Sequence, residues 1–202
     1  MLESKTSCMW REMFQDYQYV MTTAELNSRG FYYADIQKML EEGLIERIKW
    51  GYYHWIEDPD GREVTIINRL FPDGVLCMET ALFYYRYSDR NPGRWNIAID
   101  KNTSRQRTKI EYPFIKAYRL EPALVTLGET RGLLDGVDVR IFDRDRTICD
   151  VLRYMNKMDR EVFNKAVQNY VKDLKKNIPN LMEYAKALRV QKRVKELIGV
   201  WL

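Results

Sequence analysis

The sequence predicts a helix-rich α+β fold in two parts, residues 1–60 and 61–202. Apolar residues recur every three or four positions over most of the chain, which is typical of amphipathic helices. Short β-rich runs bounded by glycine or proline lie between these segments and indicate strands. The chain is 46% hydrophobic and 31% charged, so it has enough apolar material for real cores, and extensive disorder is excluded.

Cysteine usage and hydropathy predict a soluble, cytoplasmic protein. The three cysteines lie far apart with no CxxC pair, which is a poor disulfide framework and gives no zinc-finger spacing. Charges interrupt residues 1–15, unlike a signal peptide, and no run approaches the roughly 18 apolar residues that span a membrane. With His54 as its single histidine, the chain cannot build a multi-histidine metal site.

The first part begins with three predicted helices. Residues 1–15 form the first helix. The second starts at a capping box, in which Thr22 and Glu25 each satisfy a backbone N–H of the other, and it ends near Gly30. The third covers residues 33–42 and turns one apolar flank inward, formed by Ile36, Met39 and Leu40.

A β-hairpin is predicted after Gly43. Residues 44–49 and 52–56 have strand character, and Trp50-Gly51 joins them, because glycine readily takes the positive φ of a tight turn. Three helices followed by a hairpin are the order of a winged helix-turn-helix.

A winged helix commonly binds DNA with its third helix in the major groove, and the dimensions fit: the helix is about 10–12 Å across and the groove about 12 Å wide. On the outward flank, the predicted base contacts are Tyr33, Gln37 and Lys38. The predicted phosphate contacts are Thr22, Thr23, Arg29, Arg47 and Lys49. Trp50 and Tyr52 are expected at the wing.

An alternative stays open for this part, because winged helices also serve as protein-binding modules. Residues 1–60 carry a net charge of −5. DNA binding therefore requires that the acidic side chains, among them Glu41, Glu42, Glu46 and Glu57, lie away from the contact face.

The second part is predicted as a mixed α/β domain. The turn cluster at residues 58–62 marks the boundary, and residues 61–72 supply a connecting helix, with its helical pattern over 64–71. A buried helix is expected at 78–85. Strands are expected at 95–99, 113–120 and 137–142. From residue 147 onward the pattern is helical to the C-terminus.

The whole chain resembles the AbiEi antitoxins of bacterial abortive-infection AbiE toxin–antitoxin systems. The resemblance starts in MTTAELNSRGFYYADIQKMLEEGLIERIKWGYYHW and continues through LFPDGVLCMETALFYYRYSDRNP, WNIAIDKNTSR, KIEYPFIKAYRLEP, IFDRDRTICDVLRYMNKMD and NIPNLMEYAKALRVQKRVKELIGVWL. It implies a winged helix that binds inverted repeats in its own promoter and represses the operon. It also implies a C-terminal antitoxin domain that counters a nucleotidyltransferase-like toxin as a type IV system, without a stable complex.

The densest charged string, residues 143–150, admits two interpretations. Arg144 and Arg146 could bind an acidic or phosphate-bearing target, with Asp150 orienting one of them. Alternatively, Thr147 and Asp150 form a second capping box, and the other charges form an ion-pair network between domains. Metal-dependent nuclease chemistry by the three aspartates is disfavoured, because arginines separate them.

Other polar groups are weaker candidates. Cys149 lacks an activating base and is expected to be a buried thiol. Arg105 and Arg107, with Lys109, form a loop that either binds phosphate or is simply solvated. Residues 172–195 hold eight Lys/Arg and two acids, which indicates either a solvated face or a contact with DNA, toxin or the toxin's substrate. The candidates there are Lys186, Arg189, Lys192 and Arg193.

We therefore expect a non-catalytic repressor and antitoxin that needs no metal or cofactor. It is expected to bind double-stranded DNA as a monomer that pairs cooperatively on inverted repeats, and to oppose its toxin without membrane contact. A protein-binding module that never touches DNA is the first alternative. An enzyme that modifies the toxin or reverses its product is the second alternative, and the sequence shows no recognisable nucleotide loop to support it.

Overall fold

The computed structural model describes residues 5–57 and 62–199, which form two compact units. The first unit extends to Pro72 and includes Lys109–Pro113, and the second comprises Asp73–Thr108 and the chain from Phe114 onward. The boundary therefore follows residue 72 rather than residue 60, and the predicted connecting helix is part of the first unit. Most of the turn cluster, residues 58–61, lies outside the described residues.

The first unit combines four helices with a small sheet in its described part. The order is α1 (Lys5–Asp16), β1 (Val20–Thr22), α2 (Thr23–Ser28), α3 (Tyr33–Glu41), β2 (Ile45–Lys49), β3 (Tyr52–Trp55) and α4 (Glu63–Leu70). The strands form an antiparallel sheet in the order β1-β3-β2. The helices and the hairpin confirm the predicted elements, whereas β1 was not predicted.

The core of the first unit explains these elements. Ile36 and Met39 of α3 are buried together with Phe14 of α1, Leu26 of α2 and Trp55 of β3. Leu40 packs at the margin of this cluster. The predicted apolar flank of α3 is thus confirmed.

The second unit is built around a five-stranded mixed sheet. Its elements are β4 (Val75–Leu76), α5 (Met78–Tyr84), β5 (Trp95–Asp100), β6 (Ile115–Leu120), α6 (Pro122–Thr126), β7 (Glu129–Leu134), β8 (Val137–Phe142), α7 (Arg144–Tyr154), α8 (Arg160–Lys172), α9 (Ile178–Ala187) and α10 (Gln191–Leu197). The strand order is β6-β5-β4-β8-β7, with β5–β6 and β4–β8 parallel.

The second unit buries one face of its C-terminal helices. Ile148 and Leu152 of α7, Tyr170 of α8 and Leu181 of α9 belong to one buried cluster, which continues to Val194 of α10. The three predicted strands are confirmed within two residues, whereas β4, α6 and β7 were not predicted. Across the described stretches, no helix has the length and hydropathy needed to cross a membrane.

Candidate nucleic-acid interface

The outer flank of α3 is open to solvent. The carboxylate of Asp35 accepts a hydrogen bond from the backbone N–H of Tyr32 at 2.9 Å and so caps the start of the helix. Tyr33 is 77% exposed, Lys38 is exposed and Gln37 is half-buried. The three predicted base contacts thus share a helix whose opposite flank is in the core.

The β2–β3 hairpin presents an aromatic side chain and an arginine. Trp50, at the turn, is 84% exposed, and Gly51 beside it has φ +79°, the left-handed conformation that glycine tolerates. The guanidinium carbon of Arg47 lies 5.3 Å from the ring centroid of Trp50 and 5.7 Å from that of Tyr53. Cation–π contacts therefore hold Arg47 against the hairpin. Lys49 and Tyr52 are half-buried on the same hairpin.

The cations of the first unit are partly neutralised. Arg29 lies 3.5 Å from Asp16, and Lys38 lies 3.9 Å from Glu42. The carboxylate of Glu46 lies 3.0 Å from Nδ1 of His54, a buried strand residue. The Arg29–Asp16 and Lys38–Glu42 pairs, which involve predicted DNA contacts, are both exposed. They therefore contribute little to stability, and a phosphate can displace the carboxylate from either pair.

Thr22 and the backbone N–H of Thr23, both predicted to contact phosphates, make internal hydrogen bonds. The hydroxyl of Thr22 accepts from the backbone N–H of Glu25 at 3.2 Å and donates to its carboxylate at 2.9 Å. The Thr22 N–H also donates to this carboxylate, at 2.7 Å. The N–H of Thr23 donates to the carbonyl oxygen of Gly51 at 2.9 Å. The capping box is confirmed, and it uses the donors that a phosphate would need.

The capping box has a further partner that the local sequence does not indicate. The guanidinium of Arg69, on α4, donates to the two carboxylate oxygens of Glu25 at 2.6 and 2.7 Å. The capping box gave a local signal for Glu25, but no sequence signal links it to a residue 44 positions later.

In the second unit, Arg146 and Asp150 are buried, which excludes the predicted surface contact. The Arg146 side chain has no exposed area, and its Nε lies 3.1 Å from the Asp150 carboxylate. Its Nη1 donates to the carbonyl oxygens of Leu124 and Leu127, both at 2.8 Å. Burial raises the pKa of Asp150, and the positive charge of Arg146 opposes this rise. The pair is part of the core.

The predicted capping box at Thr147 is wrong. Helix α7 begins earlier, at Arg144, and Asp143 is its N-cap, accepting from the backbone N–H of Arg146 at 2.7 Å. The hydroxyl of Thr147 instead donates to the carbonyl oxygen of Phe142. Arg146 does form an ion pair, but with Asp150 of the same helix rather than between domains.

The remaining polar groups at the start of α7 have internal partners. Arg144 lies 2.9 Å from Asp173. The carboxylate of Asp145 accepts from Tyr170 at 2.8 Å, and that of Asp143 accepts from Tyr184 at 2.9 Å. No three potential metal-binding side chains converge anywhere in residues 5–57 and 62–199.

The structure separates the other predicted interaction residues into exposed and internal groups. Arg107 forms an ion pair with Asp73, and Arg193 donates to the carbonyl oxygen of Leu152 at 2.6 Å, at the end of α7. Those two therefore have structural roles. The exposed candidates are Arg105, Lys186, Arg189 and Lys192. Cys149 is buried, as predicted, and burial raises the pKa of its thiol.

Comparison with known proteins identifies a solved structure with a similar fold, but it does not assign the chain to a family. Neither a protein-family model nor a curated protein matches the chain. Among solved structures, the chain is similar to the RV2827C protein of Mycobacterium tuberculosis, with a TM-score of 0.69 and 14% sequence identity. The similarity covers 95% of this chain and 75% of that one. The α+β fold is therefore shared with a solved protein.

Proposed function

We propose that this protein is a cytoplasmic winged-helix repressor of its own promoter and the antitoxin of a type IV toxin–antitoxin system. The observation that carries the DNA-binding half is the open flank of α3, on which Tyr33, Gln37 and Lys38 are accessible to different degrees. The antitoxin half depends on the resemblance to the AbiEi antitoxins. In both proposed roles the protein needs no metal or cofactor and performs no catalysis.

The element order supports the winged-helix assignment. A helix, a short strand, two helices and a β-hairpin follow each other, and the short strand pairs with the second strand of the hairpin. In a winged helix this arrangement presents the last helix to the major groove and the hairpin to the flanking backbone. Helix α3 has nine residues and is therefore about 14 Å long, which suits the groove.

The side chains on α3 suit base recognition. The amide of Gln37 can make two hydrogen bonds to adenine, and Lys38 can reach guanine or a phosphate. Tyr33, at the start of the helix, offers a ring and a hydroxyl. Arg47 is held by aromatic rings, so less conformational entropy is lost when it binds a phosphate.

The proposed contact set is smaller than the sequence alone indicated. Thr22 is left out because its N–H and its hydroxyl both donate to Glu25, and Thr23 is left out because its backbone N–H donates to the carbonyl oxygen of Gly51. The remaining DNA contacts are Arg29, Tyr33, Gln37, Lys38, Arg47, Lys49, Trp50 and Tyr52. Two monomers are proposed to pair on the inverted repeats.

DNA binding is tested with the full chain and fluorescently labelled DNA from its own promoter, next to a scrambled duplex. Loss of a bidentate base contact costs about 1–3 kcal/mol, so Gln37→Ala should weaken promoter binding about 5- to 150-fold and leave scrambled DNA unaffected. Arg47→Ala should weaken both, because phosphates carry no sequence information. Equal losses on both duplexes for Gln37→Ala would refute its assigned role.

Salt dependence gives a second measure. If each copy neutralises about four or five phosphates, the logarithm of the association constant should fall against that of the salt concentration with a slope near −4. Arg86→Ala is the matched control, since Arg86 is an exposed arginine of the second unit. It should leave both the affinity and the slope unchanged.

The antitoxin half requires a cellular test. Co-expression of this protein should restore the growth of cells that produce a nucleotidyltransferase-like toxin encoded next to its gene. Simultaneous alanine substitution of Lys186, Arg189 and Lys192 should reduce this rescue if the basic helices oppose the toxin. Full rescue by a protein that is folded and carries the three substitutions would assign the antitoxin surface elsewhere.

A protein-binding module is the second candidate, and the exposed aromatic side chains favour it. Tyr32, Tyr33 and Trp50 are all exposed in the first unit, and large aromatic side chains are enriched at protein interfaces. Under this alternative, Tyr33→Ala and Trp50→Ala abolish rescue from the toxin, and the wild-type protein does not distinguish promoter DNA from scrambled DNA.

A further inference from the structure

Arg69 lies on α4, outside the proposed DNA contacts, and makes hydrogen bonds to two earlier elements. Its Nε donates to the carbonyl oxygen of Val20, in β1, at 3.2 Å. Its Nη2 donates to the two carboxylate oxygens of Glu25, in the first turn of α2. One guanidinium therefore joins α4 to both β1 and α2.

The carboxylate that Arg69 binds is the one that caps α2. Partial burial would raise the pKa of Glu25, but hydrogen bonds from Arg69 and Thr22 more than compensate and lower it. Glu25 is thus ionised at neutral pH. Because its oxygens also accept from Thr22, the start of α2 is fixed to α4 through a single charged group.

A second contact reaches the end of α2. The ring of Tyr17 lies near two guanidiniums, with its centroid 5.9 Å from Arg69 and 5.4 Å from Arg29. Nε of Arg29, the C-cap of α2, also lies 3.4 Å from the Tyr17 hydroxyl. Arg69 is therefore connected to both ends of α2, directly at the start and through Tyr17 at the end.

We infer that Arg69 is a positioning residue for DNA recognition, which sets the orientation of α2 and, through it, of α3. Only residues 29–32 separate the two helices, so a tilt of α2 shifts the open flank of α3. Hydrogen bonds to base edges tolerate little displacement, because they weaken steeply with distance and angle. This role rests on the proposed DNA binding. Arg69 acts on specificity without touching DNA.

The DNA test compares Arg69→Ala with Arg47→Ala in the full chain, using the promoter and scrambled duplexes. Arg69→Ala should weaken promoter binding about tenfold, which corresponds to about 1.4 kcal/mol, and leave scrambled DNA and the salt slope unchanged. Arg47→Ala removes a proposed phosphate contact outside this network and should reduce the magnitude of the slope by about 0.9. A reduced slope for Arg69→Ala, or unchanged promoter affinity, overturns the inference.

Coupling to Glu25 separates positioning from a general loss of stability. If Arg69 acts through Glu25, the double variant Arg69→Ala/Glu25→Gln should bind the promoter no more weakly than Arg69→Ala alone. Arg69→Lys keeps the charge but loses the planar fork, so its promoter affinity should lie between those of the wild type and Arg69→Ala. Independent, multiplicative losses for the two substitutions contradict action through Glu25.

Amide hydrogen exchange tests the same contact without DNA. In Arg69→Ala, the amides at the end of α2, residues 26–29, should exchange about tenfold faster, while those of α9 in the second unit keep their rates. Exchange in α2 that does not change overturns the role of Arg69 even if the wild type binds its promoter. Absence of specific DNA binding by the wild type instead overturns the proposed function.

Discussion

Replacing Arg146 with alanine should destabilise the second unit severely. The substitution leaves the carboxylate of Asp150, which is 3% exposed, without its ionic partner. It also removes the donor of two hydrogen bonds to backbone carbonyl oxygens. Removing one member of a buried ion pair costs about 3–5 kcal/mol, and each buried polar group left without a partner costs about 1–3 kcal/mol. Because these terms overlap, we expect a loss of at least about 3 kcal/mol.

Urea unfolding, followed by circular dichroism at 25 °C, measures this loss. The double variant Arg146→Met/Asp150→Leu replaces both charges by apolar side chains and should be more stable than Arg146→Ala, although it carries one more substitution. Arg105→Ala is the control at an exposed arginine and should stay within about 0.5 kcal/mol of the wild type. An Arg146→Ala protein within about 1 kcal/mol of the wild type would refute the assignment of Arg146 to the core.

Three further outcomes are expected. The lowered pKa of Glu25 gives stability that is present above its ordinary pKa of 4.5 and is lost as the pH falls through the lower pKa of the folded state. Glu25→Gln should therefore flatten the acid side of a plot of unfolding free energy against pH, and an unchanged slope contradicts this. Gly128→Ala should cost at least about 1 kcal/mol more in urea unfolding than Gly43→Ala, because φ is similar at the two positions (+72° and +67°) but only at Gly128 would the added Cβ collide, 2.6 Å from the Cβ of Arg146. At Gly43 the added Cβ would have no atom within 4 Å, and equal costs would show that the contact at Gly128 relaxes. Of the three thiols, the exposed Cys8 alone should react rapidly with iodoacetamide in the native protein, as counted by mass spectrometry; modification of a second thiol on the same timescale contradicts the burial of the other two.

The elements that the sequence predicted correctly are those with local signals. The repeat of Ile36 and Met39 identifies the buried flank of α3, and Gly51 marks the hairpin turn. Strand β1 has three residues and is stabilised by pairing with β3, whose partner residues lie 30 to 34 positions later, so its local sequence is uninformative. Strand β7 has one buried residue, Gly132, which hides the alternation of a strand.

The candidate site was predictable where exposure follows from helical periodicity, as for Tyr33. The string around Arg146 reads as a charged surface, because the acceptors that permit its burial are backbone carbonyl oxygens of Leu124 and Leu127. Backbone acceptors leave no trace in a side-chain pattern. Thr22 shows a second limit, since one hydroxyl suits both a helix cap and a phosphate, and in the structure it donates to the carboxylate of Glu25.

Because Lys109–Pro113 belongs to the first unit, the polypeptide passes between the two units three times. A fragment that stops at Pro72 lacks this segment and with it Tyr112, whose hydroxyl donates to the carboxylate of Glu63 at the start of α4. A cut after Pro72 therefore does not separate the whole first unit from the rest of the chain. A fusion protein that is to carry the whole first unit must include residues 109–113, either as an added segment or within the entire chain.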